Sequence, residues 1–346
     1  MFTRLLIVIL LMGCFIASVS AQETLIPLEG LDPVMLSQGK EVQGDLKLKV
    51  KRGRFEYIFA NAENKAAFEK DPSRYEIQLD GHCARMGAPT SGDPDLYAVH
   101  NGHIYIFGSA ECQTLFKAAP EKYLEVPAAP KSPSAEMVKR GQDLVAKAVE
   151  AMSSGAKLDQ LQSFQKTDLR GNQVRNILVL AFPDTLRQET IRSNFTLVSV
   201  ITPSESFVQV NNNARPMSEA NREFVNKDLN HELLVLLRAR TRSDFKAWAT
   251  GEKAVDVELP GFTTTLEIDP GTGCVVSQSY RGRGPGGVVG QIVINYSDFR
   301  TVEGLSLPFK TTATFDGQPF PALSATIETL KINGQIDPSS FKKPQP

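Results

Sequence analysis

A short proline-rich run limits what this chain can fold into more than any other feature. Val126-Pro127-Ala128-Ala129-Pro130-Lys131-Ser132-Pro133-Ser134 places three prolines among small residues. That pattern favours an extended, semi-rigid spacer over a packed element. It makes 127–134 a linker and divides the mature chain into 22–126 and 135–346. Two cores also suit the length, since 346 residues exceed what one typical domain holds.

The amino terminus sets the compartment. Arg4 precedes an apolar run from Leu5 to Ala17, too short for a membrane span and suited to a signal-peptide core. Val19-Ser20-Ala21 ends in small residues, so residues 1–21 read as a cleaved signal and the protein as periplasmic or secreted. A competing reading takes Leu11-Met12-Gly13-Cys14 as a lipoprotein signal, which would anchor Cys14 to a membrane through acyl chains. No later stretch is apolar enough to span a bilayer. Cleavage after Ala21 leaves Cys83, Cys112 and Cys274, an odd number for an exported protein. A formal net charge of −1 excludes a generally basic nucleic-acid binder.

Upstream of the linker the sequence repeats. Tyr57-Ile58-Phe59 returns as Tyr105-Ile106-Phe107, Ala62-Glu63 as Ala110-Glu111, Phe68 as Phe116, Pro72 as Pro120 and Tyr75 as Tyr123. Each copy reads as an aromatic-rich strand, then a short helix capped by Asn61 or Ser109, reaching Lys70 or Ala118 before the proline. The expected result is a compact α+β module with related halves.

Gly30-Leu31-Asp32-Pro33-Val34, Gln43-Gly44-Asp45, Tyr57 to Asn64, Phe68, Asp71 to Tyr75 and Gly81-His82-Cys83-Ala84 together resemble the YHS domain, over about residues 28–125. The second copy, Tyr105 to Cys112, is similar to a metal-associated variant found beside heavy-metal pumps. That variant carries two cysteines with three residues between them, whereas here Gly108 holds the first place and Cys112 the second.

His82, Cys83, His100, His103 and Cys112 crowd one stretch of this module. His100-Asn101-Gly102-His103 reads as a two-residue hairpin whose histidines oppose one another on one face. Cys112 falls near the third position of its helix, where the helix dipole favours a thiolate. His82 and Cys83 are adjacent, so on a strand they would face opposite ways. Three readings stay open. One is a soft-metal site for Cu or Zn, from His100, His103, Cys112 and either Cys83 or His82. Another is a Cys83–Cys112 disulfide, and the third is plain burial of the cysteines beside exposed histidines.

Beyond the linker, Ala135 to Ala151 is periodic as a helix, with Ser134 as its cap. Met217 to Arg240 reads as one long helix striped by Phe224, Leu229, Leu233, Leu234 and Leu237. Strand-like segments occupy 174–182, 195–201, 206–210, 254–259, 263–268, 275–280, 291–296, 305–314 and 322–332. Short turns join the later ones, which argues for an antiparallel meander covered by helices.

Leu266 to Gly273, Asn295 to Arg300, Val302 to Phe309, Lys331-Ile332-Asn333 and Ile336 to Phe341 resemble, in order, the LolA-like and LppX-like periplasmic lipoprotein-carrier superfamily. The resemblance implies a half-open antiparallel β-barrel, capped by helices, that holds acyl chains or another lipid without doing chemistry.

Signals for an enzyme are weak. Gly282-Arg283-Gly284-Pro285-Gly286-Gly287 satisfies a dinucleotide pattern, but strand sequence and not a helix follows it, so it reads as a hairpin. Arg281 and Arg283 read as solvated, with lipid phosphate as their alternative partner. His231 reads as a structural helix residue and Trp248 as a packing anchor. The overall expectation is an exported α+β protein of the bacterial envelope, not an enzyme, which binds a hydrophobic ligand. Metal binding or sensing through the smaller domain, or scaffolding for an envelope protein partner, are the alternatives.

Overall fold

The computed structural model describes residues 24–125, 132–153 and 155–343. The signal segment 1–21 with Cys14, and most of the linker, lie outside the described residues. The chain divides into two compact units, Met1–Glu76 and Ile77–Pro346. The division therefore falls between the two sequence repeats, inside the expected 22–126 domain.

In the first unit, α1 (Pro33–Ser37) precedes an antiparallel hairpin of β1 (Asp45–Arg52) and β2 (Phe55–Phe59), followed by α2 (Ala62–Lys70) and α3 (Pro72–Tyr75). Asn61 caps α2 as expected, its Oδ1 accepting the Asn64 amide at 2.8 Å. Phe68 of α2 is fully buried against Tyr57 and Phe59, with ring centroids 4.9 and 5.2 Å away. Burial of each such ring stabilises the unit by roughly 1.5–3 kcal/mol.

The second unit begins with the other repeat: β3 (Asp93–His100), β4 (His103–Phe107) and α4 (Ala110–Ala118). Its core is the same aromatic set moved along the chain, with Phe116 packed on Tyr105 and Phe107 at 5.3 and 5.0 Å. The likeness extends further upstream than the sequence showed. Leu28, Glu29 and Gly30 run at φ of 63°, 55° and 79°, and Leu79, Asp80 and Gly81 repeat this at 57°, 53° and 76°. These triplets are 51 residues apart and the strands 48, so the intervening loop lost three residues and hid the match. Position 32 in one repeat thus corresponds to 83 in the other, and 64 to 112.

This second repeat belongs with the large sheet because the two share packing. Val288 joins the cluster around Cys83, Phe107 and Phe116. Arg283 Nη1 donates to the Arg85 carbonyl at 3.1 Å, and His82 Nε2 lies 2.8 Å from Asn221 Oδ1.

After α5 (Ala135–Met152) and α6 (Gly155–Asp159) come β5 (Ser163–Arg170), β6 (Val174–Ala181), β7 (Thr185–Arg192), β8 (Phe195–Ile201), β9 (Ser206–Val210) and β10 (Asn213–Pro216). Helices α7 (Glu219–Asp228) and α8 (Leu233–Arg238) interrupt the strands. The chain then makes β11 (Lys246–Ala249), β12 (Ala254–Leu259), β13 (Phe262–Ile268), β14 (Val275–Arg283), β15 (Val289–Val302), β16 (Leu305–Phe315), β17 (Gln318–Pro319) and β18 (Ala325–Ile332). All pair antiparallel in one open sheet, ordered 10-9-8-7-6-5-18-16-15-14-13-12-11, with β17 beside β16. Because β10 and β11 are both edges, the sheet is not closed, and the half-barrel description holds only loosely. Strands β5, β7, β10 and β11 escaped the sequence reading; in β5 and β7 charged side chains interrupt the apolar alternation.

Helix α5 lies against β11. Gly141 is required there, since a Cβ on it would sit 2.4 Å from Trp248 Cα. The long helix expected over 217–240 is instead broken. Leu229–His231 forms a tight 3-10 turn, and Glu232 is extended (φ −73°, ψ 115°) before α8 begins. Asp228, Asn230 and His231 are weak helix formers, so the stripe of leucines on either side does not hold one helix together. Among the described residues, no helix is long and apolar enough to cross a membrane.

Candidate functional site

The break between α7 and α8 forms one wall of a cavity of about 180 Å³. Leu233 and Leu234 of α8 face Phe164 of β5, Leu178 of β6 and Leu307 of β16 across it. The sheet itself is split here. Strands β16 and β18 pair only at Lys310–Thr326 and Thr311–Ala325, after which the rest of β18 pairs with β5 alone. Leu307 and Pro308 on one lip, and Ile327 and Leu330 on the other, all line the cavity.

One end of the cavity is charged. Lys166, Asp168 and Arg170 alternate along β5 and so share the face that lines it. Asp168 is buried and accepts from Arg170 Nε at 2.9 Å, with Lys166 Nζ 3.8 Å away and also paired to Glu232. Asp228 closes this end; the residue reaches the surface, but desolvation of its carboxyl on the cavity side pushes it above the ordinary range, with Arg170 acting in the opposite direction.

His231 lies beside it, between Tyr280 and Phe262, with ring centroids at 3.9 and 4.8 Å. Burial lowers its pKa to about 4, so the ring is neutral at physiological pH. Burial, reinforced by Asp228, raises the Tyr280 hydroxyl. Two buried polar atoms here have no partner among the described residues: His231 Nδ1 and Asn176 Nδ2. The Asn176 oxygen is used, accepting from Thr190 Oγ1 at 3.0 Å. The cavity therefore offers apolar walls and at least one free amide donor.

The five residues expected around a metal are distributed differently. His100 and His103 do oppose each other across the Asn101-Gly102 turn. His100 Nε2, however, lies 3.2 Å from Glu121 and 3.0 Å from Asn101 Nδ2. Both nitrogens of His82 are engaged, Nδ1 at 2.9 Å from the Leu79 carbonyl and Nε2 with Asn221. Cys83 and Cys112 come together in the core of the second repeat, and both are free thiols. Among the described residues, no three or more His, Cys, Asp or Glu side chains converge as a metal-holding group. The donor set thus does not fit a shared ion.

Cys112 sits at the third position of α4, as the sequence indicated, below the Ser109 cap. Burial pushes its thiol up, but hydrogen bonds from Ser109, Arg85 and Cys83 prevail and hold it below the usual thiol range. Arg85 Nη1 lies 3.6 Å from Cys112 Sγ.

Sequence reasoning placed His231 inside a helix and passed over Lys166, Asp168, Arg170, Asn176 and Asp228. A signal for three of them was present: charges alternating at 166, 168 and 170 fit a strand with one polar, inward face. The Gly282–Gly287 run is a hairpin end between β14 and β15, as expected, with Gly282 opposite Gly290.

No protein-family model matches the sequence, and no curated protein matches it. Among solved structures the chain is similar to a DUF1329 family protein from Desulfovibrio piger, at 12% identity and a TM-score of 0.39, over 60% of this chain and 98% of that one. It is also similar to a LolA superfamily protein from Nitrosomonas europaea, at 11% identity and a TM-score of 0.28, over 59% and 97% of the two chains. Likenesses this loose leave the functional reading to the cavity.

Proposed function

We propose that the protein binds a small amphiphile, an acyl chain with a polar head, in the cavity under α7 and α8, and does no chemistry on it. The observation that carries this reading is a cavity with leucine walls and a charged, hydrogen-bonding end, beside a split in the sheet. Its size limits the ligand. At about 180 Å³ it exceeds the roughly 150 Å³ pocket known to admit benzene. It falls below the ~300–1,000 Å³ of sites that engulf a drug-sized molecule. Only part of a chain is therefore enclosed, and the remainder leaves between β16 and β18. Asn176 Nδ2 and His231 Nδ1 supply hydrogen bonds to an oxygen of the head, satisfying atoms that otherwise lack a protein partner.

The test is a fluorescence titration of the full-length protein with a dansylated fatty acid. Saturable binding is expected, reduced at least tenfold in Ile327→Trp, whose indole would fill the gap between the strands, at about 1.4 kcal/mol per factor of ten. No saturable binding by a wild-type protein with native circular dichroism would overturn the reading, as would equal binding by a folded Ile327→Trp.

A further inference from the structure

The two repeats place equivalent side chains in contact but use different chemistry. In the first unit Asp32 is fully buried and its Oδ2 accepts from Asn64 Nδ2 at 2.7 Å. The corresponding positions of the second repeat hold Cys83 and Cys112, which pack in one buried cluster. The fold thus brings these two side chains together. A thiol is a poor acceptor, so Cys83 is ill suited to the hydrogen bonds that Asp32 accepts from Val34, Met35 and Ala60. A structural role like that of Asp32 is therefore unavailable to Cys83.

The surroundings differ as well. Arg85 Nη1 is 3.6 Å from Cys112 Sγ, a cation placed to stabilise a thiolate. Cys83 is fully buried, whereas Cys112 retains 7% of its surface and sits at the first turn of α4.

We propose that Cys83 and Cys112 form a redox-active dithiol whose substrates are disulfides, with Cys112 as the attacking sulfur and Cys83 as the resolving one. The Cys112 thiolate attacks one sulfur of the substrate, forming a mixed disulfide and expelling the other sulfur as a thiolate. Cys83 then attacks Cys112 Sγ, giving the Cys83–Cys112 disulfide and releasing the second substrate thiol. The Cys83 proton passes to the departing sulfur. Two electrons leave the protein, and one substrate disulfide becomes two thiols. This site is separate from the cavity and holds whether or not an amphiphile binds there.

The experiment treats the folded, reduced, full-length protein with oxidised glutathione, quenches with acid, and maps cysteine peptides without reduction. The wild type is expected to yield a peptide pair joined through Cys83 and Cys112. Cys83→Ser should instead accumulate glutathione on Cys112, and Cys112→Ser should leave Cys83 unmodified. Arg85→Gln should slow the wild-type reaction roughly threefold or more, through loss of thiolate. The proposal is overturned if both thiols stay reduced in the folded protein while the urea-unfolded chain reacts. It also fails if Cys112→Ser, folded by circular dichroism, is modified at Cys83 as fast as the wild type forms its disulfide.

Discussion

Replacing His231 with Phe should remove a specific pH dependence of stability. The half-buried ring lies between Tyr280 and Phe262, and its pKa falls from 6.5 to about 4 on folding. The unfolded chain therefore takes up a proton below pH 6.5 that the folded protein refuses until near pH 4. Stability from this group is fully present above pH 6.5 and is lost as the pH falls through that window. The full shift corresponds to about 3 kcal/mol, of which about 2 kcal/mol is lost between pH 7 and pH 5.

Asp228 works in the opposite sense, because its raised pKa makes the folded state gain relative stability as the pH falls. Asp228 is present in both proteins, so the difference between them isolates His231. Phe preserves the ring packing and removes the unpartnered Nδ1. The assay is urea unfolding at pH 7 and pH 5, followed through the sole tryptophan, Trp248, which is buried in the second unit. The wild type should lose about 2 kcal/mol more than His231→Phe on acidification. Equal losses in the two proteins would refute the assignment of a desolvated, neutral imidazole.

Three further outcomes test other parts of the structure. Asp32→Ala removes a buried carboxylate that accepts from Val34, Met35, Ala60 and Asn64. It should cost about 3 kcal/mol and speed amide hydrogen exchange within 24–76. Gly141→Ala should lower stability by about 1–3 kcal/mol despite alanine's better helix propensity, because the new methyl meets Trp248 backbone that cannot yield; the Trp248 urea midpoint reports it. Asp168→Leu leaves Lys166 and Arg170 without their shared buried partner. A loss of about 3–5 kcal/mol is expected in the same assay, and an unchanged midpoint would show that the charged end of the cavity is not a coupled network.

Much of the local structure was legible in the chain. Asn61, Ser109 and Ser134 cap the helices assigned to them, and the helices end at Lys70 and Ala118 as expected. The His100–His103 hairpin and strands 195–201, 206–210 and 254–259 were also placed correctly. The candidate site was much less legible. Residues 163–170 and 185–192 were passed over as strands because charged residues obscure their alternation, those of 163–170 lining the cavity, and the leucine stripe of 217–240 concealed the turn at 229–231.

The sequence by itself determined where helices begin, where hairpins turn and which aromatics recur, because caps, turns and periodicity act between neighbours a few residues apart. Tertiary structure alone decided what those elements surround. His82 meets Asn221 across 139 positions, and β18 abandons β16 for β5 to open the sheet. Cys83 meets Cys112 where the sibling repeat joins Asp32 to Asn64. Such pairings are selected by the packing of whole faces, to which each residue contributes only a small share, so no short stretch of sequence carries them.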